Sequence, residues 1–558
     1  MRYPDTPIST FKRLRRSQHI VRVLVRHGFG EALARIRVWE CINIERRLLR
    51  RACELPQFTL PERIRLALEE LGPTFVKLGQ MLSTRPDLVP PEIIIELKKL
   101  QSSVHFIPTK VIKGVIEAEL GKPINEVFDS FDEEPLAAAS LAQVHRAIYK
   151  GKLVVLKVQR PNIEKTIEED IGIMHTLAVF AERYSPAAYL SNPVGLVAEF
   201  ADQIKKELDF RMEANNMRRF ARNFAGDETI HIPEAYTELC TKHLVTMEYI
   251  DGINISDVRR LKDEGYDLNL ITKRGAIIEF KSTFEYGFFH ADPHPGNIFV
   301  LPDNVIGLVD FGMMATFSLR DRQRLAKLVY FIAIRDERRV ARALNELMES
   351  EDIIPSEKLE PTISAIIQEH ADVPMSEFRL AAMLFGMMQA IMAQGARLRP
   401  QLLWLTKSIA IQEDVARSFK TDFNMIQFGR PYAKKVLTDK FNPVRHPEEM
   451  FLWLEDGLDV IRDMPYDIGI LLREMTKGKL KIEFQHIGLE PIRLTLNHVA
   501  NLLSLTITLA ALLISSSVIV LARVPPFIGS IPVIAFIGYL GALFIGAIMA
   551  ISILFRSR

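Results

Sequence analysis

The sequence predicts an α+β protein: a helical extension, a small sheet lobe, a helical lobe, and a C-terminal two-helix transmembrane hairpin. Three observations carry this. From Val127, the β-patterned runs VFDSF, LAQVHRAIY and LVVLKVQ follow one another, the last two joined by a Lys150–Gly151 turn. After the strand-like HLVTMEYI and the Asp251–Gly252 turn, apolar residues recur at helical spacing over most of the chain. Val499–Ala522 and Val524–Phe555 carry no charge, and each exceeds the roughly 20 apolar residues a bilayer core requires. The expected divisions are a basic N-terminal helical region at 1–60, the extension at 61–125, the sheet lobe at 126–255, the helical lobe at 256–490 and the hairpin at 496–556.

The extension reads as helical because apolar residues in 31–120 lie three and four apart with few breakers. Ahead of it, Lys12, Arg13, Arg15, Arg16, Arg22 and Arg26 interleave with Phe11, Leu14, Val21, Leu24 and Val25. That pattern suits a membrane-surface helix, an organelle transit peptide or a plain solvated helix. No secretory apolar region precedes it.

The hairpin's flanks assign its orientation. Lys477, Lys479, Lys481 and Arg493 precede the apolar pair, Arg556 and Arg558 follow it, and Arg523 alone sits between. The positive-inside rule places both termini and the large soluble part in the cytoplasm, hence a multi-pass membrane protein. Gly538, Ala542, Gly546 and Ala550 recur every fourth residue. Such a stripe seats the hairpin's other helix or a second copy in a homodimer, or is lipid-facing filler.

Composition excludes some classes. The net charge of +2 gives no basis for a nucleic-acid partner. Cys41, Cys53 and Cys240 are too few and too scattered for a disulfide framework or a thiolate zinc site, and they suit a reducing compartment.

The chemistry lies between His290 and Gly312. In HADPHPGN, His290, Asp292, Pro295 and Asn297 fill the slots of the kinase catalytic loop H-R-D-L-K-P-x-N, and a short strand pair then leads to Asp310-Phe311-Gly312. A sheet lobe followed by a helical lobe is a kinase-like, bilobal arrangement. In that frame Asn297 and Asp310 supply hard oxygen ligands for Mg²⁺, and Asp292 stands where a hydroxyl proton would be taken. Lys157 in LVVLKVQ matches the nucleotide lysine. Ala137, Ala138, Ala139 and Ser140 occupy the place of a glycine-rich loop; small side chains admit phosphate, but alanine disfavours positive φ and stiffens the loop. Backbone groups of Glu248 and Ile250 are candidates for an adenine edge. Glu168, Glu169, Glu207, Asp209 and Glu213 are all candidate carboxylate partners for Lys157. His290 and His294 are four apart, but Pro293 and Pro295 exclude the helix that a His-x-x-x-His zinc pair needs. Only MMATF separates Gly312 from Ser318, a predicted helix cap, so there is no long activation segment and no A-P-E. A docking platform for protein substrates is not expected.

These residues resemble the UbiB family of atypical, protein-kinase-like proteins. The resemblance rests on LGPTFVKLGQMLSTRPDLVP, AAAS, LKVQRP, ELDFRMEANN, HADPHPGN and DFGM, and it spans about residues 60–490, with a hairpin like that of bacterial members. VVLKVQ stands where VAVKVQ is usual, and SLAQVH where SIGQVH is common. The resemblance implies an atypical protein-kinase-like fold with an N-terminal K-x-G-Q helical extension. It implies ATP and Mg²⁺ as cofactors, Glu213 as the partner of Lys157, and Asp310 and Asn297 as metal ligands. Lys77 and Gln80 of K-x-G-Q would cover the nucleotide near Glu207 and Asp209 of an E-x-D motif. Function by this resemblance is an atypical kinase or ATPase that supports ubiquinone (coenzyme Q) or related prenyl-quinone biosynthesis. Its partners would be membrane lipids, prenyl-quinone intermediates and quinone-biosynthesis enzymes. Two other readings are a nucleotide-sensing scaffold without useful catalysis and a small-molecule or lipid phosphotransferase, since H-x-D-x-x-P-G-N also resembles aminoglycoside and choline kinases. A hydroxylase reading finds no flavin fingerprint and no iron-ligand triad.

Overall fold

The computed structural model describes residues 7–35, 58–83, 85, 88–100, 106–184, 192–348, 356–371, 379–394, 396, 398–421, 423–439, 490–528 and 531–554. Cys41, Cys53, the basic Lys477–Lys481 cluster, Arg556 and Arg558 lie outside these residues. The chain forms two compact units, Met1–His446 and Pro447–Arg558.

The first unit begins with α1 (Pro7–Arg26). Ile20 and Val23 are fully buried in a cluster with Leu71, Phe75, Ile167 and Ile173. Arg16 reaches the buried Asp170 at 2.7 Å and the Leu71 carbonyl at 2.8 Å. In the second half of this helix the membrane-surface expectation is therefore corrected: Val21 is buried and Leu24 packs against helices of its own unit, partners that helical periodicity cannot reveal. The side chains of Phe11 and Leu14 lie outside the described residues.

Next come α2 (Leu60–Leu71) and α3 (Pro73–Leu82). Thr59 and Glu62 form a capping box that starts α2. Gly72, at φ 99°, reverses the chain, and Pro73 opens α3 at a position where the missing N–H costs nothing. Gly79 allows α3 to lie close on its neighbours: a β-carbon there would collide with the Leu100 and Leu68 side chains. The extension continues through α4 (Pro91–Leu97) and α5 (Thr109–Leu120).

A five-stranded antiparallel sheet follows, built from β1 (Ser130–Phe131), β2 (Ala137–Ala138), β3 (Ala142–Tyr149), β4 (Lys152–Gln159) and a later strand. Lys150 and Gly151 both take positive φ in the β3–β4 turn, as the hairpin requires. Helices α6 (Ile163–Tyr184), α7 (Pro193–Glu207) and α8 (Phe210–Asn223) come next. The Asp209 carboxylate caps α8 through the Arg211 N–H. After β5 (Ile230–His231), β6 (Leu244–Glu248) completes the first sheet in the order β1-β3-β4-β6, with β2 on β3. Val154, Leu156 and Val158 of β4 pack with Ile112 and Ile116 of α5 on one face of this sheet. Each such fully buried side chain contributes on the order of 1.5–3 kcal/mol.

The second lobe opens with β7 (Ile253–Asn254) and α9 (Leu268–Phe280), which passes into a π-helical turn at Lys281–Tyr286. Four short strands then frame the site: β8 (Phe288–His290), β9 (Ile298–Leu301), β10 (Val305–Leu308) and β11 (Met314–Thr316). The order β5-β10-β9-β7 makes one sheet, and β8 pairs with β11 in another. Helices α10 (Leu319–Ala333), α11 (Glu337–Glu346), α12 (Ser356–Ala371), α13 (Leu380–Ala393), α14 (Pro400–Ser418) and α15 (Met425–Asp439) complete the unit around one large apolar core. Ser318 caps α10 through the Asp321 N–H, so the chain enters that helix directly after β11.

The second unit contains α16 (Glu490–Leu521) and α17 (Val533–Leu554), joined by a turn holding β12 (Phe527–Ile528) and β13 (Ile531–Pro532). Leu503–Leu521 is long and apolar enough to cross a membrane. The two helices pack on each other. Ser516, Ala535 and Ala542 are buried, and the Ser517 and Tyr539 hydroxyls lie 2.9 Å apart. A β-carbon at Gly538 would collide with the Ser516 hydroxyl, whereas Gly546 has open space beside it. The first half of the small-residue stripe therefore seats the other helix of the hairpin.

Candidate functional site

β4 is a central strand, and its register places Lys157 opposite Val144 of β3 and Val245 of β6. Its ammonium meets the Glu213 carboxylate of α8 at 2.8 and 2.9 Å and Asp310 Oδ1 at 3.5 Å. Among the five carboxylates open at the level of sequence, tertiary structure selects Glu213. It is buried, with 4% of its side chain exposed. Burial, with the nearby Asp310 charge, pushes its pKa up to about 7, against the pull of Lys157. Burial works to lower the Lys157 pKa, but Asp310 and Glu213 outweigh it and hold the ammonium charged above its ordinary range.

The catalytic-loop and DFG segments are held together by backbone and one histidine. β8 and β11 pair His290 with Met314, the Ala291 N–H donates to the Met313 carbonyl, and the Val309 N–H donates to the Asn297 carbonyl. The His290 ring bonds the Asp310 carbonyl through Nε2 and accepts the Asp292 N–H at Nδ1. Burial lowers the His290 pKa, so the ring is neutral, with Nε2 carrying the proton. His294 accepts the Gly296 N–H at Nδ1. Both histidines are thus bracing groups of the loop.

Asp310 accepts the Gly312 N–H at 3.0 Å and lies 3.4 Å from the Asn297 amide nitrogen. Surrounding protein opposes its ionisation, but Lys157, the Gly312 N–H and Lys77 overcome this and hold its carboxyl well below the usual range. An ionised carboxylate beside an amide whose oxygen a simple rotation would present is a donor set for a hard cation completed by phosphate oxygens. Among the described residues no cluster of three or more His, Cys, Asp or Glu forms an all-protein metal cage.

Lys77 brings α3 to this site. Lys77 of α3 meets Glu207 at 2.6 Å. Burial opposes the Lys77 charge, and Glu207, Asp310 and Asp292 restore and raise it. Of the residues grouped by the family resemblance, Lys77 and Glu207 are paired directly. Gln80 donates to the Leu100 carbonyl at 3.4 Å within the extension, and Asp209 clasps the Arg211 side chain at 2.7 and 2.9 Å.

The alanine segment is a tight hairpin. Ala137 and Ala138 pair with Val144 and Gln143, and the Ala139 N–H donates to the Ala142 carbonyl at 2.8 Å. Arg160 donates to the Ala139 carbonyl at 3.0 Å, and Ser140 is buried. No described residue at 137–140 takes positive φ, in keeping with alanine's preference. The Ala139 N–H is therefore engaged within the hairpin itself. At the end of β6, the Glu248 N–H donates to the Glu234 carbonyl and the Glu248 side chain meets His231 at 3.1 Å, while Ile250 is buried just beyond the strand.

Two residues join the site that the motif reading did not single out. The Asn216 amide of α8 donates to the Phe311 carbonyl at 3.0 Å and ties the sheet lobe to the DFG turn. Lys407 of α14 meets Asp292 Oδ1 at 2.9 Å. Lys407 is the sole charged residue in the run from Pro400 to Gln412, and that isolation was the available hint.

Comparison with known proteins agrees with this geometry. Residues 99–344 match the ABC1 atypical kinase-like domain, and residues 487–555 match the ABC1/UbiB kinase-like C-terminal domain. "Probable protein kinase UbiB" of Aeromonas salmonicida is 36% identical over 78% of this chain and 81% of its own length. The protein of the same name from Aliivibrio fischeri strain ATCC 700601 / ES114 is 33% identical over 81% and 85%. An "Uncharacterized protein in hydrogenase 1 5'region" of Clostridium pasteurianum is 31% identical over 88% and 93%. With relatives this similar over most of their length, and a kinase-like pairing of Lys157, Glu213 and Asp310, the chain belongs to the ABC1/UbiB family of atypical kinase-like proteins.

Proposed function

We propose that this protein is a membrane-anchored, Mg²⁺-ATP-dependent atypical kinase or ATPase. It supports ubiquinone or related prenyl-quinone biosynthesis by coupling ATP turnover to the handling of lipid intermediates or biosynthetic enzymes. The observation that carries the reading is the meeting of Lys157, Glu213 and Asp310 within 3.5 Å, with Asn297 beside Asp310 and Asp292 on the same loop. Lys157 would neutralise phosphate charge, and Asn297 and Asp310 would hold Mg²⁺, which supplies charge neutralisation between the phosphates. In the transfer, the bond from the terminal phosphorus to the bridging oxygen breaks and a bond to the acceptor oxygen forms. The acceptor's proton passes to Asp292. Glu248 and Ile250 would meet the adenine edge.

The UbiB names of the relatives and the helix Leu503–Leu521 support placement at the cytoplasmic face of a bacterial inner membrane. There α16 and α17 would both span the bilayer, with Arg523 in their turn. The chain passes from β11 to α10 through two residues, Phe317 and Ser318, which disfavours a docking platform for protein substrates and favours water or a small lipidic acceptor. The direct test is ATP hydrolysis with and without anionic liposomes and a quinone-precursor mimic. Wild type should turn over and respond to the vesicles, while Asp310→Asn should fall by at least about a hundredfold. Equal rates for the two would end the proposal.

The Ala139 N–H, already bonded to the Ala142 carbonyl, favours one competing reading, a nucleotide-sensing scaffold. Complementation of a quinone-deficient strain by an Asp292→Ala, Asp310→Asn double variant would select the scaffold.

A further inference from the structure

The catalytic-loop frame H-R-D-L-K-P-x-N places a lysine two residues after the aspartate. Here that slot holds His294, whose Nδ1 accepts the Gly296 N–H within the loop. The loop itself thus offers no cation beside Asp292. The other lysines of the cleft are committed elsewhere: Lys157 to Glu213 and Asp310, Lys77 to Glu207.

Lys407 supplies a cation from a different direction. Its Nζ lies 2.9 Å from Asp292 Oδ1, its one ion-pair partner among the described residues. The neighbours on α14 fix its base. Thr406 and Ser408 are buried, and the Ser408 hydroxyl donates to Glu279 Oε2 of α9 at 2.8 Å. Leu403, Leu405 and Ile409 pack into the core of the helical lobe. The backbone is therefore held while the flexible stem carries an ammonium with three donors to the cleft. Its side chain keeps 29% of its surface exposed and that of Asp292 keeps 35%, so incoming ligand can reach both.

Charge makes this placement consequential. A phosphoryl group brought up to the Asp292 carboxylate meets like charge. A cation between them removes that repulsion only if it can bond either one. We propose that Lys407 is the terminal-phosphate cation of this site, exchanging its bond to Asp292 for one to the transferred phosphoryl group and so freeing Asp292 for the acceptor. Lys407 keeps its proton throughout; the acceptor's proton goes to Asp292, and the electron pair of the broken P–O bond leaves with the diphosphate. This inference rests on the nucleotide reading above and names a further catalytic residue for it.

The test compares nucleotides that differ only in the terminal group. Full-length protein in anionic liposomes with Mg²⁺ is titrated calorimetrically with ADP and with the non-hydrolysable analogue AMP-PNP, and ATP turnover is measured beside it. Lys407→Met is expected to weaken AMP-PNP about tenfold while ADP changes less than about twofold, the effect of losing one charge-assisted contact to the terminal phosphate. Turnover should drop further than binding. Lys407→Arg keeps the charge and should keep most of the AMP-PNP preference, so the comparison survives a methionine variant that fails to fold. Equal weakening of both nucleotides with a lowered Tm, or an unchanged preference in Lys407→Met, overturns the proposal for Lys407 alone. A wild-type protein that binds neither nucleotide overturns the nucleotide reading and this inference together.

Discussion

Lys157 and Glu213 stand 56 residues apart in sequence, yet meet at 2.8 and 2.9 Å across the face of the sheet lobe. Glu213 has almost no solvent to fall back on. Removing its cation should therefore cost more than an ordinary surface change. Lys157→Met is expected to lower stability by about 2–3 kcal/mol, less than the full penalty for an orphaned buried charge because Glu213 can take up a proton. Urea unfolding of the full chain in detergent measures this. A midpoint within error of wild type would mean that the pair is not structural.

The close approach of α3 to its neighbours depends on the absence of a side chain at Gly79. Gly79→Ala would push against Leu68 and Leu100 and should cost about 1–3 kcal/mol. Because Lys77 sits on the same short helix, the substitution should also loosen the Lys77–Glu207 contact. Faster hydrogen exchange over Pro73–Leu82, without change in the helical lobe, is the expected signature. Uniform exchange throughout would refute it.

Glu279 links stability to pH. It is buried on α9, Ser408 donates to Oε2, and Oε1 has no hydrogen-bond partner. Burial pushes its pKa up to about 7, with the Ser408 bond opposing. Below the unfolded value of 4.5 both states hold the proton and there is no penalty. Between there and about 7 the unfolded chain releases a proton that the folded chain retains, so stability falls as pH rises. The full effect is on the order of 3 kcal/mol and is complete above that range. Glu279→Gln should flatten this part of the profile. Parallel urea-midpoint curves for the two proteins from pH 5 to pH 8 would show that Glu279 is not responsible.

The contact between α16 and α17 turns on Gly538, which faces the Ser516 hydroxyl. Gly538→Ile should pry the helices apart and break the Ser517–Tyr539 hydroxyl contact. In detergent the variant is expected to show greater protease sensitivity at the Arg523 turn. Gly546→Ile, at a position with open space, should leave that sensitivity unchanged. Equal cleavage of the two variants would remove Gly538 as the seat of the contact.

Much of this architecture was legible because it is local. Strand alternation, the positive-φ turn at Lys150–Gly151 and the Ser318 cap depend on residues within a few positions of one another, and Asp292, Asn297 and Asp310 lie in one short stretch of chain. The length of Leu503–Leu521 is likewise a property of one uninterrupted run.

Partnership across the chain was not legible. Sequence left five carboxylates open to Lys157, and only the packing of α8 against the sheet selects Glu213. A basic amphipathic stripe looks alike whether it meets lipid or protein, and only the burial of Ile20 and Val23 shows that α1 docks on its own unit. Asp209 stands in the same motif as Glu207, but only folding shows that its carboxylate clasps Arg211 while Glu207 meets Lys77. Lys407 lies on a helix more than a hundred residues beyond Asp292, joined to it by folding alone. The sequence by itself determined the elements and the chemical types they carry, because propensity, capping and spacing act over a few residues. The tertiary structure decided which charges meet, because an ion pair depends on distance in space and on desolvation, and neither exists until the lobes are packed.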